Sequence, residues 1–336
     1  MTTYVLGWDG LDLELLDSYG MTSEFAAYVG GHEPLVNPVL GKPDTYEMWP
    51  SIITGVTPEQ HGVELISDDG GASFESPLLQ LGSTAVHRLL PTRTRVALGI
   101  TLRNMGFKLS QKTPEWYEER GVSTVFDGLR SRAITVPNYV SQRDRELGLV
   151  DGWGAEQSSY LAVEAELDHK RVVYRPKRSL KEVEDWLVNE AHQKLAALDA
   201  AAREDYDLVW TWFSYIDTVG HSQPAVERDF GETDWQRRAY ENALDMTREF
   251  ESSLDPEDEL LVVSDHGNRD GEHTMDAVVG GSTDVVTEAK SALDIRSAVE
   301  AVVSEAEAGA ASADADTPED TTAPETASEV SAELDD

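Results

Sequence analysis

The chain has 336 residues, 40% of them apolar, and no cysteine; it can hold one large α/β domain or two modest ones, and it excludes disulfides, cysteine nucleophiles and thiolate metal sites. The net charge of −37 is spread along the whole sequence; we read it as adaptation to a very salty cytoplasm, with an acidic face for a basic partner as the alternative, and it disfavours nucleic acid, whose phosphates require a basic patch. No apolar run approaches the roughly 18 to 20 residues that span a membrane.

Residues 1–8 carry no basic group and read directly as a strand, so no signal peptide is expected and the expected location is cytoplasmic. That strand ends in Asp9 and Gly10. Leu11, Leu15 and Leu16 follow at helical spacing, then Gly30-Gly31 and a Pro-punctuated loop from Pro34 to Pro43. A helix is expected from Thr45 or Tyr46 to Gly55, where Asp44 and Thr45 are both competent caps. A hydroxyl at such an N-terminus sits in positive potential, where a phosphate is welcome.

Residues 68–180 read as a variable, cap-like insertion over the active-site edge, helical from about 84 to 112 with a turn at Pro91. Within it, 123–130 could form a helix, 133–137 a strand with a terminating Pro, and 171–174 a short strand. A long amphipathic helix is expected over 179–203, and a third strand run over 207–216 ends in Asp217, with Gly220-His221 beyond. A further helix over 227–253 leads to the apolar run 260–263 and then Ser264-Asp265-His266-Gly267, with His273 downstream. A closing helix spans 294–303. Beyond about Glu305 only small residues and acids recur, so the tail (304–336) is expected to be disordered.

Strands alternating with helices imply an α/β fold, a mainly parallel central sheet flanked by helices. Ligands bind such sheets outside the carboxyl ends of the strands, and Asp9, Asp217 and Asp265 each stand near such an end. Taken singly, each motif has an ordinary reading. Asp9 could cap a helix, Asp265-His266 could sit in a capped loop, and His221 and His273 could be surface histidines. Together, three Asp and three His at one rim offer mixed carboxylate and imidazole donors, and the i, i+4 spacing of Asp217 and His221 puts two donors on one helical face. Such donors suit zinc, or manganese where oxygens dominate. Two such ions about 4 Å apart can clamp the attacking and leaving oxygens of an in-line phosphoryl displacement.

Asp9, Thr45, Asp217-x-x-x-His221, Asp265-His266 and His273 occur in an order and spacing that resembles the alkaline phosphatase superfamily, and within it the type I phosphodiesterase/nucleotide pyrophosphatase branch. The specific stretch is Thr54-Gly55-x-x-Pro58-x-x-His61-Gly62; the runs 134–137 and 213–217 are also similar. The resemblance covers residues 4 to about 303, the expected catalytic domain being 1–303. It implies that Thr45, nine residues before Thr54, is the nucleophile. It also implies one divalent ion on Asp9, Thr45, Asp265 and His266 and a second on Asp217, His221 and His273. Thr54 and His61 would then shape the turn after the Thr45 helix without binding metal. The implied function is hydrolysis of a small phosphorylated substrate, a phosphodiester or phosphomonoester, through a phosphothreonine. The alternatives are a phosphomutase of the same superfamily and a non-catalytic binding protein on this fold. A sulfatase is disfavoured, because threonine cannot become formylglycine. Two departures leave diester and monoester both open: Glu47 stands where the branch usually has Pro, and Ile66, with Ser67 and Asp68, stands near the point where nucleotide pyrophosphatases carry Asn.

Overall fold

The computed structural model describes residues 1–65, 92–106, 109–149, 155–165 and 171–315. Residues 66–68 and the stretch 84–91 therefore lie outside the described residues, as does 316–336.

A six-stranded sheet runs in the order β2-β10-β7-β1-β6-β3, built from β1 (Thr3–Trp8), β2 (Tyr28–His32), β3 (Ser131–Ile134), β6 (Leu208–Phe213), β7 (Glu259–Val263) and β10 (Ala277–Gly281). Strands β7, β1, β6 and β3 are parallel, and β10 is antiparallel to both its neighbours. The expected mainly parallel sheet is thus present. Its central strand β1 is buried along its whole length, as a strand covered on both faces must be.

Side chains leave the sheet alternately. Tyr4, Leu6 and Trp8 of β1 join a core with helices Leu180–Ala201, Tyr215–Phe230 and Trp235–Glu251, while Val5 joins a second core with helices Thr45–Thr54 and Ile295–Ala315. On that second face Gly7 is a close-approach position. A Cβ there would lie 2.7 Å from the Trp49 ring, so only glycine lets the Thr45–Thr54 helix settle against the sheet.

Two small hairpins complete the site region: β4 (Leu161–Ala165) with β5 (Val172–Pro176), and β8 (Gly267–Arg269) with β9 (Glu272–Thr274).

Several expected boundaries move. Residues 215–216 are the start of the Tyr215–Phe230 helix rather than the end of a strand, and the helix expected over 227–253 is two helices broken at Gly231, whose φ is +71°. Residues 123–130 form turns, because the Asp127 carboxylate takes the backbone N–H and hydroxyl of Thr124 and Gly128 adopts a left-handed conformation. Strand β3 stops at Ile134, where Thr135 turns to φ +57° and donates its hydroxyl to the Trp212 carbonyl. The closing helix continues to Ala315, past Glu305 where disorder was expected. Of the helical stretch expected over 84–112, Thr92–Asn104 is observed. Among the described residues no helix is long and apolar enough to cross a membrane.

Candidate metal centre

Register places the site. Gly7 of β1 pairs with Trp212 of β6 on one side and Val263 of β7 on the other, so Asp9 and Asp265, each two residues beyond, leave the sheet at one level. The chain after β6 turns at Ser214 into the Tyr215–Phe230 helix, which puts Asp217 in its first turn and His221 one turn on. Gly10, at φ +72°, lets that helix close in, since a Cβ there would lie 2.9 Å from Asp217. Hairpin β8–β9 folds His273 back over the same rim. From the other side Asp44 caps the Thr45–Thr54 helix and Thr45 is its first residue. All seven residues singled out in the sequence are brought together.

They form two adjoining sets. In one, Thr45 Oγ1 lies 3.2 Å from Asp9 Oδ1 and 2.9 Å from His266 Nε2, and His266 Nε2 lies 3.3 Å from Asp265 Oδ2 and 3.6 Å from Asp9 Oδ1. In the other, Asp217 Oδ1 lies 3.4 Å from His221 Nε2 and 3.8 Å from His273 Nε2. The His266 and His273 rings stack between the sets, their centroids 3.8 Å apart.

The outer nitrogens decide where the lone pairs point. His221 Nδ1 is 2.7 Å from the Val172 carbonyl, His273 Nδ1 is 2.8 Å from the Pro43 carbonyl, and His266 Nδ1 is 3.1 Å from the Gly267 carbonyl. A carbonyl only accepts, so each Nδ1 carries the proton and donates. Burial pushes the His221 imidazole down to about 4 and His273 well below the ordinary histidine range, so both rings are neutral at pH 7. Their Nε2 atoms therefore carry bare lone pairs, and they face each other across 2.9 Å beside the Asp217 carboxylate. Two lone pairs and an anion converging on one point call for a cation. The first set makes the same demand. Asp9 and Asp265 are fully buried, and among the described residues Asp265 Oδ2 has no hydrogen-bond donor. Burial first, then the Asp265 and Asp217 charges, raise the Asp9 carboxyl well above its usual range; burial also raises Asp265. These donors fit divalent metal ions, and an imidazole that donates its outer N–H to a carbonyl is the usual arrangement of a metal ligand.

Other residues hold the donors and were not evident in the sequence. Trp212 Nε1 donates to Asp9 Oδ2 at 3.2 Å. Asn268 Nδ2 donates to Asp217 Oδ1 at 2.7 Å, and the Asn268 backbone carbonyl accepts from Gln236 Nε2 at 2.7 Å. Asp12 caps the Leu13–Tyr19 helix and also accepts from Arg269 and Thr274, which pins hairpin β8–β9 to the exit of β1. After burial, the charge of Lys42 also contributes to lowering both His221 and His273.

After the Thr45–Thr54 helix His61 braces the turn, while the Thr54 hydroxyl bonds back inside the helix. Thr54 Oγ1 donates to the Pro50 carbonyl at 2.6 Å. His61 Nδ1 accepts the Val63 N–H at 3.1 Å, so its Nε2–H donates to Ser51 Oγ at 3.0 Å. Glu47 is buried, and its Oε1 accepts from Asn37 Nδ2 and from the Leu65 backbone, each at 2.7 Å. Burial pushes its carboxyl up to about 8, so at neutral pH it adds little negative charge to the centre.

No protein-family model and no curated protein sequence matches the chain. Solved structures similar to it include an alkaline phosphatase. That one, from the Antarctic bacterium TAB5, is 11% identical with a TM-score of 0.41, over 90% of this chain and 97% of the other. The PH0037 protein from Pyrococcus horikoshii is 15% identical with a TM-score of 0.37, over 84% of this chain and 87% of the other. Murine ectonucleotide pyrophosphatase/phosphodiesterase 5 is 14% identical with a TM-score of 0.35, over 80% of this chain but only 57% of the murine one.

Proposed function

We propose that the protein is a metal-dependent phosphohydrolase that cleaves a small phosphodiester or phosphomonoester through a phosphothreonine at Thr45. The observation that carries this reading is the inward convergence of the His221 and His273 Nε2 lone pairs on Asp217, directly beside a buried hydroxyl ringed by Asp9, Asp265 and His266. One ion would be held by Asp9, Thr45, Asp265 and His266, the other by Asp217, His221 and His273. Zinc suits both donor sets, and manganese suits the oxygen-rich first set. When bound, such ions lower the pKa of a hydroxyl and neutralise charge on phosphoryl oxygens.

The residues of the chain do the rest. Thr45 Oγ1 gives up its proton and forms a bond to phosphorus as the ester P–O bond breaks; the leaving oxygen departs with the bonding electrons and takes up a proton in place of the one Thr45 released. Water then cleaves the phosphothreonine, returning a proton to Thr45 and releasing phosphate or its monoester. The N-terminus of the Thr45–Thr54 helix stabilises the negative charge that gathers there. Asn268 and Trp212 fix the carboxylates that face the ions.

Purified protein in molar KCl should hydrolyse p-nitrophenyl phosphate or bis-p-nitrophenyl phosphate. Activity should vanish on chelation and return with zinc or manganese. Absence of turnover on any phosphoester with both ions bound would favour a binding protein on this fold.

A further inference from the structure

Glu47 stands in the first turn of the helix that presents Thr45, and it touches none of the seven donors. Its Oε1 instead takes Asn37 Nδ2 and the Leu65 N–H. Asn37, itself 4% exposed, organises the turn ahead of the helix. Its Oδ1 accepts the N–H groups of Val39 and Leu40 at 2.8 and 2.9 Å. Its backbone N–H donates to the Lys42 carbonyl at 3.0 Å, and its carbonyl accepts from Gly41 at 2.8 Å. The next residue, Pro43, offers the carbonyl that holds His273 Nδ1, and Asp44 then caps the helix. The Asn37–Glu47 hydrogen bond thus closes the chain from Asn37 to Glu47 on itself, with the acceptor for His273 inside the loop.

That acceptor sets the centre. Hairpin β8–β9, which carries His273, is pinned on its far side by Asp12, and on its near side by the Pro43 carbonyl. If Pro43 withdraws, nothing obliges the ring to keep its proton on Nδ1, and Nε2 then loses the lone pair it presents to His221 and Asp217. We propose that Glu47, acting through Asn37, is a positioning residue that locks the 37–44 loop and thereby fixes the tautomer and orientation of His273. This rests on the metal-centre reading above for its consequence, though not for the tautomer itself.

The test uses three variants of the full chain in molar KCl. Glu47→Gln keeps an acceptor oxygen, Glu47→Ala removes it, and Asn37→Asp keeps the acceptor for Val39 and Leu40 while removing the donor to Glu47. Histidine-selective ¹⁵N spectra of the metal-free protein report the tautomer of His273, and competition with a chelator reports zinc affinity. Wild type and Glu47→Gln should show the Nδ1–H tautomer. Glu47→Ala and Asn37→Asp should show mixed tautomers and bind one of two zinc ions about 10–100-fold more weakly, the other within about threefold. Combining Glu47→Ala with Asn37→Asp should weaken that ion no further than the worse single change, because both break the Asn37–Glu47 bond, Glu47→Ala releasing the Leu65 N–H besides. Wild-type tautomer and affinities in Glu47→Ala and Asn37→Asp would overturn the proposal. So would equal weakening of both ions, which would mark a role in folding alone. If wild type binds no zinc while the tautomers still shift as described, the metal reading falls and the positioning role stands.

Discussion

Each of the three imidazoles at the rim uses one ring nitrogen on a backbone carbonyl, and the other is left facing Asp9, Asp217 or Asp265. What these donors require is orientation, and single neighbouring side chains supply it. Replacing Asn268 with Ala should free Asp217 Oδ1 and weaken binding of one zinc ion about 10–100-fold, read by chelator competition, with little effect on the other. His61 gives a second residue-scale prediction. Burial holds it at about 4, against 6.5 for a free histidine, so the unfolded chain binds a proton in that window that the folded chain refuses. Stability from this group is complete above about pH 6.5 and falls by roughly 1.4 kcal/mol per pH unit toward pH 4. Denaturant midpoints between pH 7 and 5 should fall less steeply in His61→Asn than in wild type. Six of the seven donors stood out as Asp and His at or near strand ends, while Thr45 was reached only through the resemblance, by its distance from Thr54. Trp212, Asn268 and Lys42 were not, because nothing local distinguishes a tryptophan or an amide that reaches a carboxylate from one that fills a core.

At the scale of elements, the Thr45–Thr54 helix shows how the site is braced. Pro50 lies inside it and has no N–H, so the Tyr46 carbonyl loses its partner one turn back. Asn138 Nδ2 fills the gap at 2.8 Å, from a residue held at φ +56°. Asn138→Ala should leave that buried carbonyl unpaired and cost about 1–3 kcal/mol, seen as a lower thermal midpoint. It should also slow turnover, because Thr45 sits next to the unpaired group. The helix and its Asp44 cap could be read from the sequence, since Asp, Thr and a closing Gly mark its ends. The break at Gly231 and the early start of the Asp217 helix could not. Tyr215 and Ile216 are aromatic and apolar and suit a buried strand as well as a buried helix. The acceptor for His221 comes from the β4–β5 hairpin, 49 residues away from it in sequence, a distance across which no local pattern speaks.

For the whole molecule, strand order does what strand sequence cannot. Placing β1 between β6 and β7 aligns three chain exits and brings residues 9, 217 and 265 together. The alternation of strands and helices gave the fold class, but the order of strands required tertiary pairing. The net charge of −37 belongs to this scale too. Self-repulsion of that size should relax as salt shortens the screening length to about 3 Å near 1 M. Thermal midpoints should therefore climb between about 0.1 and 2 M KCl, and a flat or falling profile would contradict the reading of the acidic surface as salt adaptation. The central claim concerns Thr45. Thr45→Ala should be loaded with zinc to two ions per chain and assayed on the best phosphoester substrate of the wild type. Both ions bound with turnover reduced on the order of 10³-fold or more is the expected result; both ions bound with turnover near the wild-type rate would contradict the assignment of Thr45 as nucleophile.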